Sequence, residues 1–202
     1  MSCKYRAVVI GVSAGGMATL SELFPKIPSN FPIPIFVVQH IHKSQSEYLI
    51  TYYNGLSNLT IKEAKDKEKA VPGNIYFAPP DYHMLLEEDE TFSISIDEKV
   101  NYSRPSIDVL FESAADVYKN ALVGIILTGA NNDGTEGIRI IKQNGGYTIA
   151  QEPEEAEFLV MPKSAIDTGK IDKVLTLSEI SDFINYLLKN TKQLKRRISW
   201  KE

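Results

Sequence analysis

The stretch Gly11-Val12-Ser13-Ala14-Gly15-Gly16-Met17 decides the fold of this chain. It follows the apolar run Ala7–Ile10, which predicts a buried β-strand, and it precedes residues 17–24, which predict a helix. Glycines beside a serine allow a tight turn and the close approach of another molecule to the backbone. The free N–H groups at the start of the helix would point at whatever the serine contacts. Ser13 is therefore a candidate acyl-transfer nucleophile with oxyanion donors beside it.

Three interpretations of this loop compete when it is considered alone. Gly11-x-Ser13-x-x-Gly16 differs by one residue from the G-x-G-x-x-G dinucleotide fingerprint, and Gly11-x-Ser13-x-Gly15 matches the G-x-S-x-G nucleophile elbow. In the third interpretation the glycines serve only close packing at a strand-to-helix turn. The next apolar run ends in Gln39-His40 rather than in the acidic residue that would bind a ribose. That ending argues against the dinucleotide interpretation.

Length and composition limit the class of protein. The chain has 202 residues, 43% hydrophobic and 24% charged, with a net charge of −4, which is typical of one globular domain and gives no general bias toward nucleic acid. Cys3 is the single cysteine, so an intramolecular disulfide and a cysteine zinc cluster are excluded. No apolar run approaches membrane-spanning length, and the first strand leaves no room for a signal peptide. We expect a cytoplasmic protein of one domain over 1–202, with a core over about 6–188 and a basic tail over 189–202.

Apolar strands that alternate with helices predict the architecture. Strands over 6–10, 33–38 and 121–127 are nearly continuous apolar runs, as in a parallel sheet covered on both faces. The expected fold is α/β, a doubly wound, mostly parallel, Rossmann-like sheet with helices on both faces. Alternating residues around an acidic tip at 87–90 add a β-hairpin. Further elements are a helix over 107–119 capped by Ser106, a final strand over 174–177, and a closing helix from Ser178 through Leu188.

Three polar residues follow three of these strands. Ser13 follows the first strand, His40 ends the second, and Asp133 follows the strand that ends at Leu127. All three are expected at the carboxyl edge of the sheet, where open α/β sheets bind ligands. Serine, histidine and aspartate are the parts of a catalytic triad: nucleophile, general base and orienting carboxylate. Their order along the chain differs from the α/β-hydrolase order, in which the histidine comes last.

Several blocks of the chain resemble one family in sequence and in order. The chain is similar to the catalytic domain of the chemotaxis methylesterase CheB over about residues 6–188. The blocks that carry the resemblance are Gly11-Val12-Ser13-Ala14-Gly15-Gly16, Val38-Gln39-His40, Arg104-Pro105-Ser106-Ile107-Asp108-Val109-Leu110-Phe111, Leu127-Thr128-Gly129-Ala130-Asn131-Asn132-Asp133-Gly134, Thr148-Ile149-Ala150-Gln151 and Met161-Pro162-Lys163-Ser164-Ala165-Ile166.

The resemblance implies an activity and a site. The family hydrolyses γ-glutamyl methyl esters on chemoreceptors and releases methanol, and many members also deamidate receptor glutamines. Its triad corresponds to Ser13, His40 and Asp133. We expect oxyanion and substrate contacts from Ala14, Gly15, Ala130 and Asn132, with no metal and no cofactor. The expected partners are the cytoplasmic helices of methyl-accepting chemoreceptors, with neither nucleic acid nor direct membrane insertion.

The chain departs from the family pattern at two points. Ala130 stands where the family usually has methionine, which is tolerable if the residue serves the oxyanion through its N–H but would alter specificity if the side chain shapes the pocket. The familiar family architecture also has an N-terminal phosphorylatable receiver domain, whereas this sequence starts at the catalytic domain. We therefore expect a standalone member or an excised piece.

Other interpretations of the polar residues stay open. His40-x-His42 with His83 or Asp133 could bind zinc in a metal hydrolase, although two histidines fall short of a full ligand set. A non-catalytic module could use the glycine-serine loop to hold an anion or a receptor helix, and a hydrolase of a different ester is a further alternative. His83 could line the site or cap the hairpin. Arg104 is expected to form a structural salt bridge or to meet an acidic receptor helix.

Overall fold

The computed structural model describes residues 5–198, apart from the side chains of Lys43 and of residues 188–198. Its strands, in chain order, are β1 (Ala7–Val12), β2 (Ile35–Gln39), β3 (Thr60–Glu63), β4 (Asn74–Phe77), β5 (His83–Leu86), β6 (Phe92–Ser95), β7 (Leu122–Ile126), β8 (Tyr147–Gln151) and β9 (Lys173–Leu175). Its α-helices are α1 (Gly16–Leu23), α2 (Ser46–Leu56), α3 (Ile107–Tyr118), α4 (Thr135–Gln143), α5 (Val160–Asp167) and α6 (Leu177–Ile198).

Seven of these strands form one parallel sheet in the order β3-β4-β2-β1-β7-β8-β9. β5 and β6 form a separate antiparallel hairpin. From the central strand β1 the chain forms β2 beside it and then the edge strand β3, and β4 lies between these two. The chain then returns to β7 on the other side of β1 and continues outward through β8 and β9, so the sheet is doubly wound. The predicted fold class, including the hairpin addition, is confirmed.

The central strands are buried on both faces, which explains their continuous apolar sequences. On one face, Val8, Ile10 and Val12 pack with the apolar sides of α1, α2 and α6. On the other face, Ala7 and Val9 pack with α3, α4, α5 and the hairpin. Every residue of β1 is therefore enclosed, and the strand fixes the position of whatever follows it.

Some predicted boundaries are wrong. β1 extends through Gly11 and Val12, because Gly11 continues the register with Val38 on one side and Ile126 on the other. Ser13 therefore leaves directly from the end of the strand.

The closing helix begins one residue before the predicted cap and runs past Leu188 to Ile198. Thr176, rather than Ser178, caps it: Thr176 Oγ1 accepts the Glu179 N–H, and Glu179 Oε2 accepts the Thr176 N–H. This reciprocal pair is a capping box, and it ends the last strand at Leu175. Cys3 lies outside the described residues, as do the basic side chains of the tail.

No helix among residues 5–198 is both long enough and apolar enough to span a membrane. The division of the chain into one domain with a core over 6–188 and a tail over 189–202 stays a prediction.

Candidate active site

The parallel register of β1 and β2 places Ser13 and His40 side by side at the carboxyl edge of the sheet. Val12 is paired with Gln39, so the next residue of each strand leaves the sheet at the same level. The His40 N–H donates to the Val12 carbonyl at 3.1 Å, and the Ser13 N–H donates to the Thr128 carbonyl at 3.0 Å. Backbone hydrogen bonds therefore hold the ends of β1 and β2 and the start of the β7–α4 loop together at the carboxyl edge of the sheet.

Two positions in and beside the Ser13 loop require glycine, each for a different structural reason. Gly15 caps α1 with a φ of +78°, a left-handed conformation that glycine adopts without strain. Gly11 has no room for a side chain, because a Cβ there would lie 2.5 Å from Ile107 Cγ2. The close approach expected in this loop is thus, at Gly11, an approach of α3 of the same chain rather than of a ligand.

Ser13, His40 and Asp133 form one hydrogen-bonded chain. Ser13 Oγ lies 3.2 Å from His40 Nδ1, and His40 Nε2 lies 2.9 Å from Asp133 Oδ2. The ionised carboxylate can only accept, so Nε2 carries the proton and Nδ1 is free to accept from the Ser13 hydroxyl. The two ring nitrogens exchange partners relative to the serine-protease triad, in which Nε2 faces the serine and Nδ1 faces the aspartate.

Asp133 is buried, with 1% of its surface exposed, and is surrounded by donors. Besides His40, its two oxygens accept from Ser106 Oγ at 2.8 Å, the Ile107 N–H at 2.7 Å, the Asp108 N–H at 3.2 Å and Asn101 Nδ2 at 3.2 Å. Burial opposes ionisation, but the hydrogen bonds from His40, the Ile107 N–H and Ser106 outweigh it and lower the pKa of Asp133. The carboxylate lies at the N-terminus of α3, where the helix dipole also favours its charge.

Asp108 is a second buried carboxylate at the same helix end. It accepts the Gly137 N–H at 2.7 Å and Asn101 Nδ2 at 2.7 Å. Burial raises the pKa of Asp108 to about 6, against the hydrogen bond from Gly137, and the charge of Asp133 adds to the rise. Asn101, which has a φ of +50°, thus bridges the two carboxylates.

The predicted oxyanion residues surround Ser13 unequally. Within the described part of the chain, the N–H groups of Ala14, Gly15 and Ala130 have no hydrogen-bond partner, so they are available to a ligand. Asn132 is exposed; its carbonyl accepts the Thr135 N–H, and its side chain has no described hydrogen bond. The roles proposed for these four residues stay predictions.

The sequence reasoning missed Asn131. Its Oδ1 accepts the Asp133 N–H at 3.2 Å, which turns its Nδ2 toward His40 Nδ1 at 3.4 Å. Asn131 and Asn132 are neighbours of the same type, so composition alone could not tell which of them faces the histidine.

Ser106 occupies the N-cap position of α3, as predicted, but its side chain makes no capping hydrogen bond. Its hydroxyl instead donates to Asp133, whose carboxylate accepts the N–H groups of Ile107 and Asp108 that a cap would accept. His83 supports this arrangement from the hairpin. It is 2% exposed, its Nδ1 accepts the Ser106 N–H at 3.2 Å, and its Nε2 lies 3.0 Å from the Glu98 carbonyl.

The histidines do not assemble into the ligand set of the metal-hydrolase alternative. His42 is exposed and pairs with Ser44, while both ring nitrogens of His83 are occupied elsewhere. No group of three His, Cys, Asp or Glu side chains within residues 5–198 is arranged to hold a metal ion. Arg104 forms no described salt bridge; its Nη1 donates to the carbonyls of Ile96 and Asp97.

The comparison with family models identifies the family of this chain. Residues 8–184 match the model of the CheB methylesterase domain. The chain belongs to the CheB methylesterase family. The resemblance predicted from the sequence blocks is thereby confirmed.

Relatives and a solved structure agree with this assignment. A Leptospira interrogans protein, provisionally named protein-glutamate methylesterase/protein-glutamine glutaminase, is 49% identical over 93% of this chain and 97% of its own length. The Thermotoga maritima protein-glutamate methylesterase/protein-glutamine glutaminase is 39% identical over 88% of this chain but only 52% of its own length. The crystal structure of the Thermotoga maritima CheB methylesterase catalytic domain matches 91% of this chain and 98% of that domain, with a TM-score of 0.88 and 38% identity.

Proposed function

We propose that this chain is a serine hydrolase that removes methyl groups from glutamate γ-methyl esters of methyl-accepting chemoreceptors and releases methanol. The observation that carries the proposal is the hydrogen-bonded chain from Ser13 through His40 to the buried Asp133. An aliphatic hydroxyl next to an imidazole whose far nitrogen is held by a carboxylate is the arrangement that activates serine for attack on an acyl carbon.

Acylation follows from the protonation states of the three residues. As Ser13 Oγ attacks the ester carbonyl, its proton passes to His40 Nδ1, and Asp133 stabilises the imidazolium that forms. The carbonyl oxygen becomes an oxyanion, which the unpaired N–H groups of Ala14, Gly15 or Ala130 would stabilise. The bond to the methoxy group then breaks, the methoxy oxygen takes the proton from Nδ1, and methanol leaves.

Deacylation repeats the same steps with water. His40 Nδ1 takes a proton from a water molecule as its oxygen attacks the acyl carbon, and returns the proton to Ser13 Oγ. The product is a glutamate γ-carboxylate. A receptor glutamine would give the same acyl intermediate with ammonia as the leaving group, and two of the relatives described above have names that include this glutaminase activity.

The partner follows from the substrate. We propose that the chain acts in the cytoplasm on the helical cytoplasmic region of chemoreceptors, where methylated glutamates reside. The names of the family and of the relatives support a glutamate of a protein as the substrate.

Methanol release from a methylated chemoreceptor fragment tests the proposal. We expect release with the wild-type chain, no change with a metal chelator, and no release above background with S13A. Release that persists in S13A, or that stops on chelation, would contradict a serine mechanism. Binding of the fragment without methanol release would favour the non-catalytic alternative.

A further inference from the structure

A cavity of about 540 Å³ opens beside Ser13, between the start of α1 and helix α2. Met17, Ile41, Tyr48 and Tyr52 give it apolar and aromatic walls, and the two tyrosine rings are stacked with centroids 6.1 Å apart. Of the thirteen described residues that line it, Glu157 is the one that carries a charge. The charge of Glu157 therefore dominates the electrostatics of this pocket and would act on a substrate or product there.

Glu157 lies directly against the loop that carries the nucleophile. A Cβ built on Gly15 would be 2.9 Å from Glu157 Oε2 and 3.0 Å from Glu157 Cβ, so the acidic side chain lies across the Cα of Gly15. Gly15 caps α1 and has an unpaired N–H. Glu157 is exposed and lines the pocket, and within the described residues its carboxylate has neither a hydrogen bond nor an ion pair, so no structural partner neutralises its charge.

The proposed reaction produces a carboxylate that the N–H groups beside Ser13 would attract. Unpaired N–H groups at a helix N-terminus attract anions. The donors that would stabilise the oxyanion would therefore also hold the carboxylate that each turnover leaves behind. The methyl ester and the glutamine amide are neutral, so only the product carries charge into the pocket.

We propose that Glu157 determines specificity by repelling the glutamate carboxylate from this pocket while admitting the neutral ester or amide. The inference rests on the proposed function, because it takes glutamate as the product. The transition state suffers less from the repulsion, since the charge of its oxyanion is balanced by the imidazolium of His40 beside it. After deacylation His40 is neutral again, and the product carboxylate faces Glu157 uncompensated.

Paired receptor fragments test this discrimination directly. The two fragments are identical except for glutamate or glutamine at the methylation site, and their affinities are measured with S13A, in which turnover cannot interfere. With Glu157 present, the glutamine fragment should bind more tightly. In S13A/E157Q the preference should fall about threefold to fivefold, mainly through tighter binding of the glutamate fragment, because like charges repel and solvent screens this repulsion at the exposed Glu157 side chain. High salt should weaken the preference of S13A and leave that of S13A/E157Q nearly unchanged.

Glu154 provides the matched control. It lies in the same acidic loop and is exposed but does not line the cavity, so E154Q removes the same charge from outside the pocket. We expect S13A/E154Q to keep the preference of S13A.

Equal effects of E154Q and E157Q, or no effect of E157Q, would overturn the inference, as would failure of both fragments to bind. An unchanged preference in S13A/E157Q, with Ser13-dependent methanol release by the wild-type chain, would overturn this inference alone. Absence of methanol release from the wild-type chain would overturn the proposed function and, with it, this inference.

Discussion

The two ends of the hydrogen-bond chain through His40 are built differently. At the Ser13 end, Nδ1 has contacts of 3.2 Å to Ser13 Oγ and 3.4 Å to Asn131 Nδ2, beside an open cavity. At the other end, Asp133 is buried and accepts five hydrogen bonds, two from the first N–H groups of α3 and one each from Ser106, Asn101 and His40. Under the proposed mechanism, we expect the Ser13 end to serve the reaction alone and the Asp133 end to stabilise the fold as well.

Substitution of Ser13 should abolish activity with the least change in the unfolding free energy. We expect S13A to lower methanol release by about ten-thousand-fold or more, because the attacking oxygen is lost. Its unfolding free energy should stay within about 0.5 kcal/mol of the wild-type value, since no structural hydrogen bond depends on the hydroxyl. Chemical denaturation beside the activity assay checks both parts. The control is S29A, which removes an exposed serine hydroxyl outside the cavity and should keep full activity.

Substitution of Asp133 should damage both properties. We expect D133N to lower methanol release by up to about ten-thousand-fold, because an amide cannot stabilise the imidazolium as the carboxylate does. It should also lower the unfolding free energy by about 2 kcal/mol, since the amide NH₂ would face buried donors. The exposed residue Asp116 on α3 offers the control D116N, which should be neutral. A D133N variant as stable as the wild type would break the proposed contrast between the two ends.

The two buried carboxylates at the start of α3 should respond oppositely to pH. Burial raises the pKa of Asp108 from its usual 3.8 to about 6, so its protonated form stabilises the fold fully below pH 3.8, and this contribution is lost as the pH rises through 6. Asp133, with a lowered pKa, contributes stability that is present above its usual pKa and is lost as the pH falls through its folded-state value.

Denaturation of the wild type and D108N between pH 4 and 7 measures the Asp108 contribution. Relative to D108N, the wild type should lose up to about 3 kcal/mol as the pH rises across this range. Parallel stability curves for the two proteins would show that Asp108 does not titrate in this window.

Substitution of Ser106 should have the smallest effect of this series. S106A removes one of the five donors to Asp133 and leaves the carboxylate in place. We expect a loss of about 1 kcal/mol in unfolding free energy and a fall of about fivefold in kcat. A loss of activity as large as that of D133N would mean that the carboxylate is held mainly by Ser106 rather than by the helix N–H groups.

The placement of Ser13 and His40 could be predicted from the sequence because it depends on local order. Two buried apolar runs form neighbouring parallel strands, and the residue that follows the end of each strand emerges at the same edge of the sheet. The placement of Asp133 follows from the same reasoning applied to β7. Their catalytic roles stay predictions until the variants are measured.

The contacts around Asp133 could not be predicted, because they join segments that are distant along the chain. Ser106 lies 27 residues from Asp133, and local chemistry favoured a helix cap. Only the packed structure shows that Asp133 itself accepts the first N–H groups of α3. The preference for Asn131 over Asn132, and the position of Glu157 across Gly15, likewise depend on loop conformation rather than on residue type.

Trapping of the acyl intermediate tests the central claim, attack by Ser13, most directly. Hydroxylamine added during turnover of a methylated receptor fragment should intercept the acyl-enzyme and leave a glutamate γ-hydroxamate, which mass spectrometry of the fragment detects. We predict hydroxamate at the methylation site with the wild-type chain and none above the uncatalysed background with S13A. Hydroxamate that forms at the same rate with both proteins would contradict a covalent intermediate on Ser13.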